Sequence, residues 1–189
     1  RRRHTRYPLV TGVQTCALPI WVYGLADVPQ FAQQVSTATR VANPGCYATA
    51  LSVGMAPAVA AGLIDTAAIV AVAASGTSGA GRKADLALNA TEVMGSMRAY
   101  KAGGAHQHTP EVEQALADVA GDSVTLSFTP VLAPMPHGIH ATVSAPLRAG
   151  SSMLRPSTSA SSNTAHSSPC CRLGSKVAVL MWSAPTTPI

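Results

Sequence analysis

Cys46 follows Asn43-Pro44-Gly45, a turn by composition, and opens a helical pattern that runs to Ala61. A thiol at a helix N-terminus faces unpaired N–H groups and the positive end of the helix dipole, an environment that favours a nucleophilic thiolate. The same N–H groups can receive an oxyanion formed beside it. A buried structural cysteine is the plainer alternative, and the turn and helix alone do not decide between them. His106-Gln107-His108 stands just ahead of Thr109-Pro110-Glu111. Two imidazoles at that spacing suit a metal edge, but no Cys or third His follows at ligand spacing, so no metal is assigned. One of them suits acid–base work near neutral pH; two solvated loop histidines are the alternative. Ser75 to Gly81 is a glycine-rich loop with Arg82 and Lys83 behind it. Its amides could bind an anion and Arg82 could clamp a phosphate, yet it fits neither a P-loop nor G-x-G-x-x-G, and a plain turn competes.

These groups need elements to hold them. Cys46 to Ala61 predicts a helix interrupted at Pro57 by a kink or a second short helix. The apolar run Ala67–Ala74 predicts a buried strand leading into the glycine loop, and Lys83 to Val93 is helix-compatible. Pro110 to Val119 predicts a helix with Thr109 as N-cap and Glu111 and Glu113 at its positive end. Val124–Phe128 and Ile139–Ala145 alternate as strands, joined by a loop from Thr129 to Gly138. The order is helix, strand, helix, helix, strand, strand: a mixed α+β layer rather than a doubly wound sheet.

Composition narrows the function classes. Of 189 residues, 47% are apolar but only 4% aromatic, so a core must come from aliphatic side chains. The net charge of +5 invites a nucleic-acid reading; Arg1, Arg2, Arg3 and Arg6 cluster at one terminus without interleaved aromatics, which argues against it. Cys16, Cys46, Cys170 and Cys171 give no disulfide framework, so the expected compartment is reducing and cytoplasmic. No apolar run reaches the roughly 18 residues of a membrane span. Thr11, Gln14 and Thr15 interrupt the stretch after the arginines, which is expected to be neither signal nor anchor.

Four ordered segments carry a resemblance: ANPGCYATA (42–50), SGTSGAGRK (75–83), AHQHTPEVEQ (105–114) and FTPVLAPMPHGIHAT (128–142), with VYGL (22–25) upstream. In order and spacing, residues 21–150 resemble the N-acetyl-gamma-glutamyl-phosphate reductases, which belong with the aspartate-semialdehyde and glyceraldehyde-3-phosphate dehydrogenase-like enzymes. The resemblance implies NADPH-dependent reduction of N-acetyl-glutamyl phosphate to the semialdehyde in arginine biosynthesis. Cys46 matches the nucleophile that forms a thioester, and His106 the acid/base, with His108 held in reserve as a substrate or structural contact. Asn43, Arg98, Tyr100 and Glu111 fall where substrate-lining residues are placed. Ser75, Gly76, Ser78, Gly79, Ala80 and Gly81 form the loop near nicotinamide and substrate. The implied fold is the semialdehyde dehydrogenase dimerisation-type α+β domain with a mixed or antiparallel sheet, after the tail of a Rossmann domain, and the implied partners are an acyl phosphate and further copies of the chain.

The departures set expected boundaries. Residues 1–20 and the Ser-rich 151–189 do not resemble the family and are expected to be irregular, apart from one apolar run, Val177–Trp182. Residues 21–45 are taken as the remnant of a nucleotide-binding domain and 46–150 as an incomplete catalytic and dimerisation domain. Without a glycine-rich nucleotide fingerprint, the chain alone is expected to lack NADPH binding and activity. His137 stands where the family usually has Arg, and binds an anion less well. Other readings are a second acyl-phosphate or semialdehyde dehydrogenase of the superfamily, a non-catalytic oligomerisation fragment, or a Cys/His hydrolase pairing Cys46 with His106 or His140.

Overall fold

Phe31 and Val35 recur at helical spacing behind Pro29, a residue suited to a first helical turn. In the computed structural model, which describes residues 21–80, 86–148, 170–173 and 177–183, they belong to a helix the sequence reading passed over. That helix, α1 (Pro29–Thr37), connects two short parallel strands, β1 (Val22–Tyr23) and β2 (Val41–Ala42). Phe31 meets Tyr23 edge-on at 5.7 Å between ring centres. These elements lie in the first of two compact units, which divide between Pro44 and Gly45.

The second unit holds α2 (Cys46–Ala60), β3 (Ile69–Ser75), the single-turn α3 (Ala90–Val93), β4 (Arg98–Ala99), α4 (Thr109–Ala120), β5 (Leu126–Leu132), β6 (Ile139–Pro146), β7 (Cys170–Leu173) and β8 (Val177–Ser183). Its six strands run in the order β4-β5-β3-β6-β8-β7. β3 and β5 are parallel, from Ile69 opposite Leu126 to Ser75 opposite Leu132; every other pair is antiparallel. The sheet is mixed and the class α+β, as the element order implied.

Alternation decides the faces. Ile69, Ala71 and Ala73 of β3, with Phe128 of β5 and Ala141 and Val143 of β6, form one core with Leu51 and Met55 of α2 and Val112 and Leu116 of α4. Alanines on the central strands let the helices approach closely, which is how an aromatic-poor chain builds a dense interior. Val70 and Val72 point the other way and are 46% and 45% exposed. The run expected to be buried is therefore covered on one face only.

Several local expectations change. Pro57 does not divide α2, because it falls in the last turn, where its missing N–H removes one terminal hydrogen bond. Within 83–93, the described residues form a tight turn at Leu86–Leu88 and the short α3 instead of one helix. Thr109 is the first helical residue of α4 rather than its cap; His108 holds the cap position. The β5 strand runs through Pro130 to Leu132, which shortens the loop expected from Thr129 to Gly138. Part of the segment expected to be irregular is strand: β8 pairs with β6 from His140–Ser183 to Pro146–Val177, and β7 pairs with β8. No helix among the described residues is long and apolar enough to cross a membrane.

Candidate active site

Helix α2 begins at Cys46, with Gly45 in extended conformation at its cap, and the Cys46 side chain is exposed. The first intrahelical bond runs from the Thr49 amide to Gly45 O at 2.8 Å, so the amides of residues 45 to 48 have no acceptor within the helix. Glu111, in the first turn of α4, takes one of them: its Oε1 accepts the Gly45 N–H at 3.1 Å. This bond ties the start of α4 to the residue before the thiol. A side chain at 45 would overlap the His108 ring, its Cβ lying 2.7 Å from Cδ2. Glycine is thus required there for space, not for conformation, since its φ is −68°.

The next residue along α2 turns inward by a helical step of about 100°. Tyr47 is 2% exposed, and its hydroxyl shares a hydrogen bond with the Tyr100 hydroxyl at 3.0 Å. Burial pushes the ionisation of both phenols up, so both stay protonated near neutral pH. Ser75, at the end of β3, opposes that rise at Tyr47 without reversing it.

His106 sits inside this aromatic group and is 6% exposed. Its ring meets Tyr47 at 5.4 Å, Phe128 at 5.4 Å, Tyr100 at 5.7 Å and His108 at 4.8 Å, all edge-on. Burial first, then the positive charges of His108 and Lys101, lower its pKa from 6.5 to about 4. At pH 7 the ring is neutral. An acid expected from sequence to hand a proton to a hemithioacetal oxygen must here first acquire one.

The structure therefore gathers Cys46, Tyr100, His106, His108 and Glu111 at the starts of α2 and α4. Gly45 and Tyr47 join them unforeseen; a tyrosine beside the thiol in so aromatic-poor a chain was the available signal. Arg98 lies exposed on β4. Asn43 belongs to the first unit, where its amide donates to Pro44 O at 3.5 Å. His140 projects from the sheet face opposite Ile139 and Ala141, away from the helices, which removes it as a partner for Cys46.

The glycine loop behaves differently from a phosphate cradle. The amides of Gly76, Thr77 and Ser78 donate to Gly138, Met135 and Pro136 carbonyls at 2.9, 3.0 and 3.1 Å. A Cβ at Gly76 would lie 2.7 Å from the His137 nitrogen, so this glycine admits a neighbouring loop. The His137 ring meets the Ser78 hydroxyl at 3.0 Å. The amides of Gly76 to Ser78 are therefore already used within the fold. Gly81, Arg82 and Lys83 lie outside the described residues.

Residues 46–179 match the family described as semialdehyde dehydrogenase, dimerisation domain, and the match passes the boundary expected at 150. The chain is 55% identical over 130 residues to an N-acetyl-gamma-glutamyl-phosphate reductase of Acidothermus cellulolyticus, covering 69% of this chain and 38% of that one. It is 56% identical over 125 residues to the enzyme of the same name from Salinispora arenicola, covering 66% and 36%. It thus spans little more than a third of these curated relatives. Among solved structures, aspartate semialdehyde dehydrogenase II from Vibrio cholerae, complexed with ASA, superposes with a TM-score of 0.60 at 14% identity, over 86% of this chain and 62% of that one. A Pseudomonas aeruginosa protein described as a probable aspartate-semialdehyde dehydrogenase gives 0.59 at 13% identity, over 89% and 64%; these two likenesses bear on fold alone. From its ordered motifs, its mixed sheet and this match, the chain belongs to the semialdehyde dehydrogenase family and carries that family's dimerisation domain.

Proposed function

We propose that the chain carries the acyl-transfer chemistry of an acyl-phosphate reductase, with N-acetyl-glutamyl phosphate as the substrate suggested by its curated relatives. One observation carries the reading: an exposed thiol on the first residue of α2, among amides with no intrahelical acceptor, beside a ring cluster that holds an imidazole. The Cys46 sulfur attacks the acyl carbon, the bond from carbon to the phosphate oxygen breaks, and the acyl group stays on sulfur as a thioester. Amides of the first α2 turn stabilise the oxyanion as it forms. Tyr100, His108 and Arg98 line the acyl group in this proposal. Glu111 acts through Gly45, and Asn43 carries no part.

Reduction of the thioester takes a hydride donor, NADPH by family likeness, which supplies two electrons to the acyl carbon. The described loop from Ser75 to Ala80 does not form a phosphate cradle for it, and no step through the cofactor is assigned to these residues. The setting is arginine formation in the cytoplasm. Incubating the chain with acetyl phosphate tests the thiol step: one equivalent of phosphate is released, with an acetyl mass increase on Cys46, and Cys46→Ser abolishes both. Equal phosphate release from Cys46→Ser refutes the reading.

The open sheet face supports a second element of the proposal. Val70 and Val72 are exposed there, and the matched family is described by dimerisation, so a second copy packs on this face. Sedimentation checks it: Val70→Lys with Val72→Lys yields monomer where the unsubstituted chain is a dimer.

A further inference from the structure

The segment that joins β4 to α4 carries three residues in the left-handed region: Lys101 at φ 45°, Gly103 at 69° and Gly104 at 80°. Glycine enters that region without strain, whereas a side chain there crowds the following carbonyl. Lys101 is the single non-glycine residue with positive φ among the described residues. Two of the three left-handed positions are given to glycine, and the third keeps a long cationic side chain. Lys101 is exposed, so packing does not account for it.

The residue before it is held firmly. Tyr100 donates its backbone N–H to Pro130 O at 3.1 Å, and its hydroxyl meets that of Tyr47 at 3.0 Å. Its ring stands 5.7 Å from that of His106. Lys101 thus departs from the wall of the site, and its charge is felt at the His106 ring. Tyr47, Tyr100 and His106 are neutral near pH 7, so an anion arriving beside Cys46 meets uncharged rings. Glu111, an acid of the same cluster, bonds the Gly45 amide.

We propose that Lys101 is an anion-binding residue of this site, held in a left-handed backbone so that its ammonium receives an oxyanion of the acyl-phosphate substrate. A compact charge with three donors on a flexible stem suits that task. Two parts of N-acetyl-glutamyl phosphate offer the same chemistry, its phosphoryl group and its carboxylate, and the experiment separates them. The inference rests on Cys46 being the nucleophile.

Its test follows acylation of Cys46 by mass on the full chain, with N-acetyl-glutamyl phosphate and with acetyl phosphate, which has no carboxylate. Lys101→Arg keeps the charge; Lys101→Asn and Lys101→Gly remove it and accept positive φ. Lys101→Arg should stay within about threefold of the unsubstituted chain, while the other two acylate about tenfold more slowly at low substrate, for one charge-assisted hydrogen bond lost. A loss confined to N-acetyl-glutamyl phosphate assigns the ammonium to the carboxylate, and an equal loss with both substrates assigns it to the phosphoryl group. Stability should move the other way: Lys101→Gly unfolds at a higher urea concentration than the unsubstituted chain, because the strain is gone. Unchanged rates in Lys101→Asn and Lys101→Gly with both substrates overturn the inference. So does a lower urea midpoint in Lys101→Gly, which would make the lysine a support of the fold. Absence of an acyl adduct on the unsubstituted chain with either substrate overturns the nucleophile reading and this role together, an outcome distinct from the other two.

Discussion

Acidification tests the His106 environment through stability. The unfolded chain protonates this imidazole near its ordinary value of 6.5, while the folded chain resists until about 4. Between those values the unfolded state binds more protons, so stability is intact above pH 6.5 and falls as pH drops toward 4. The full difference corresponds to about 3 kcal/mol, of which about 2 kcal/mol is lost by pH 5. Urea unfolding at pH 8 and pH 5, on the unsubstituted chain and on His106→Gln, isolates this group. The substitution's packing cost is nearly pH-independent and cancels in the double difference. The unsubstituted chain should lose about 2 kcal/mol more than the variant between the two pH values. Parallel losses would show that the imidazole titrates normally, and the burial argument would fail.

Four glycines predict different outcomes from space alone. Gly45→Ala drives a methyl into the His108 ring and should cost about 1–3 kcal/mol, with the Gly45–Glu111 bond disturbed, read by urea unfolding. Gly76→Ala meets backbone at Pro136 and His137, which cannot step aside, and should lower the melting temperature by several degrees; Gly79→Ala, 3.2 Å from only the Ser75 hydroxyl, should not. Gly54→Ala, inside α2 with nothing within 4 Å, should stabilise by about 0.5–1 kcal/mol. A destabilised Gly54→Ala would show that α2 is packed more tightly than this.

Parts of the fold were legible because their signals are local. Alternation marked β5 and β6, and the run at 67–74 marked β3 within two residues. Pro110 and the acids behind it marked α4. The two-residue strands β1, β2 and β4 were not legible, because so short a strand exists only through its partner. β7 and β8 lay in Ser-rich, cysteine-paired sequence whose composition carries no strand period, and β6 gives β8 its place. Thr109 was misplaced as a cap because its type suits the position, whereas the imidazole two residues before His108 had already taken the amide there.

For the site, the sequence by itself determined the thiol at a coil-to-helix junction, since a turn, a glycine and a helical run around Cys46 are all local facts. It also gave the pair of imidazoles ahead of a helix. Tertiary structure alone decided what those imidazoles are chemically. Whether His106 is charged depends on four rings and a backbone amide contributed by α2, β5, the segment after β4 and the entry to α4. Likewise, only folding showed that the amides of Gly76 to Ser78 are taken by a loop 60 residues away. A proton's affinity and an amide's availability are set by what surrounds the group in space, and that neighbourhood is assembled from residues far apart in the chain.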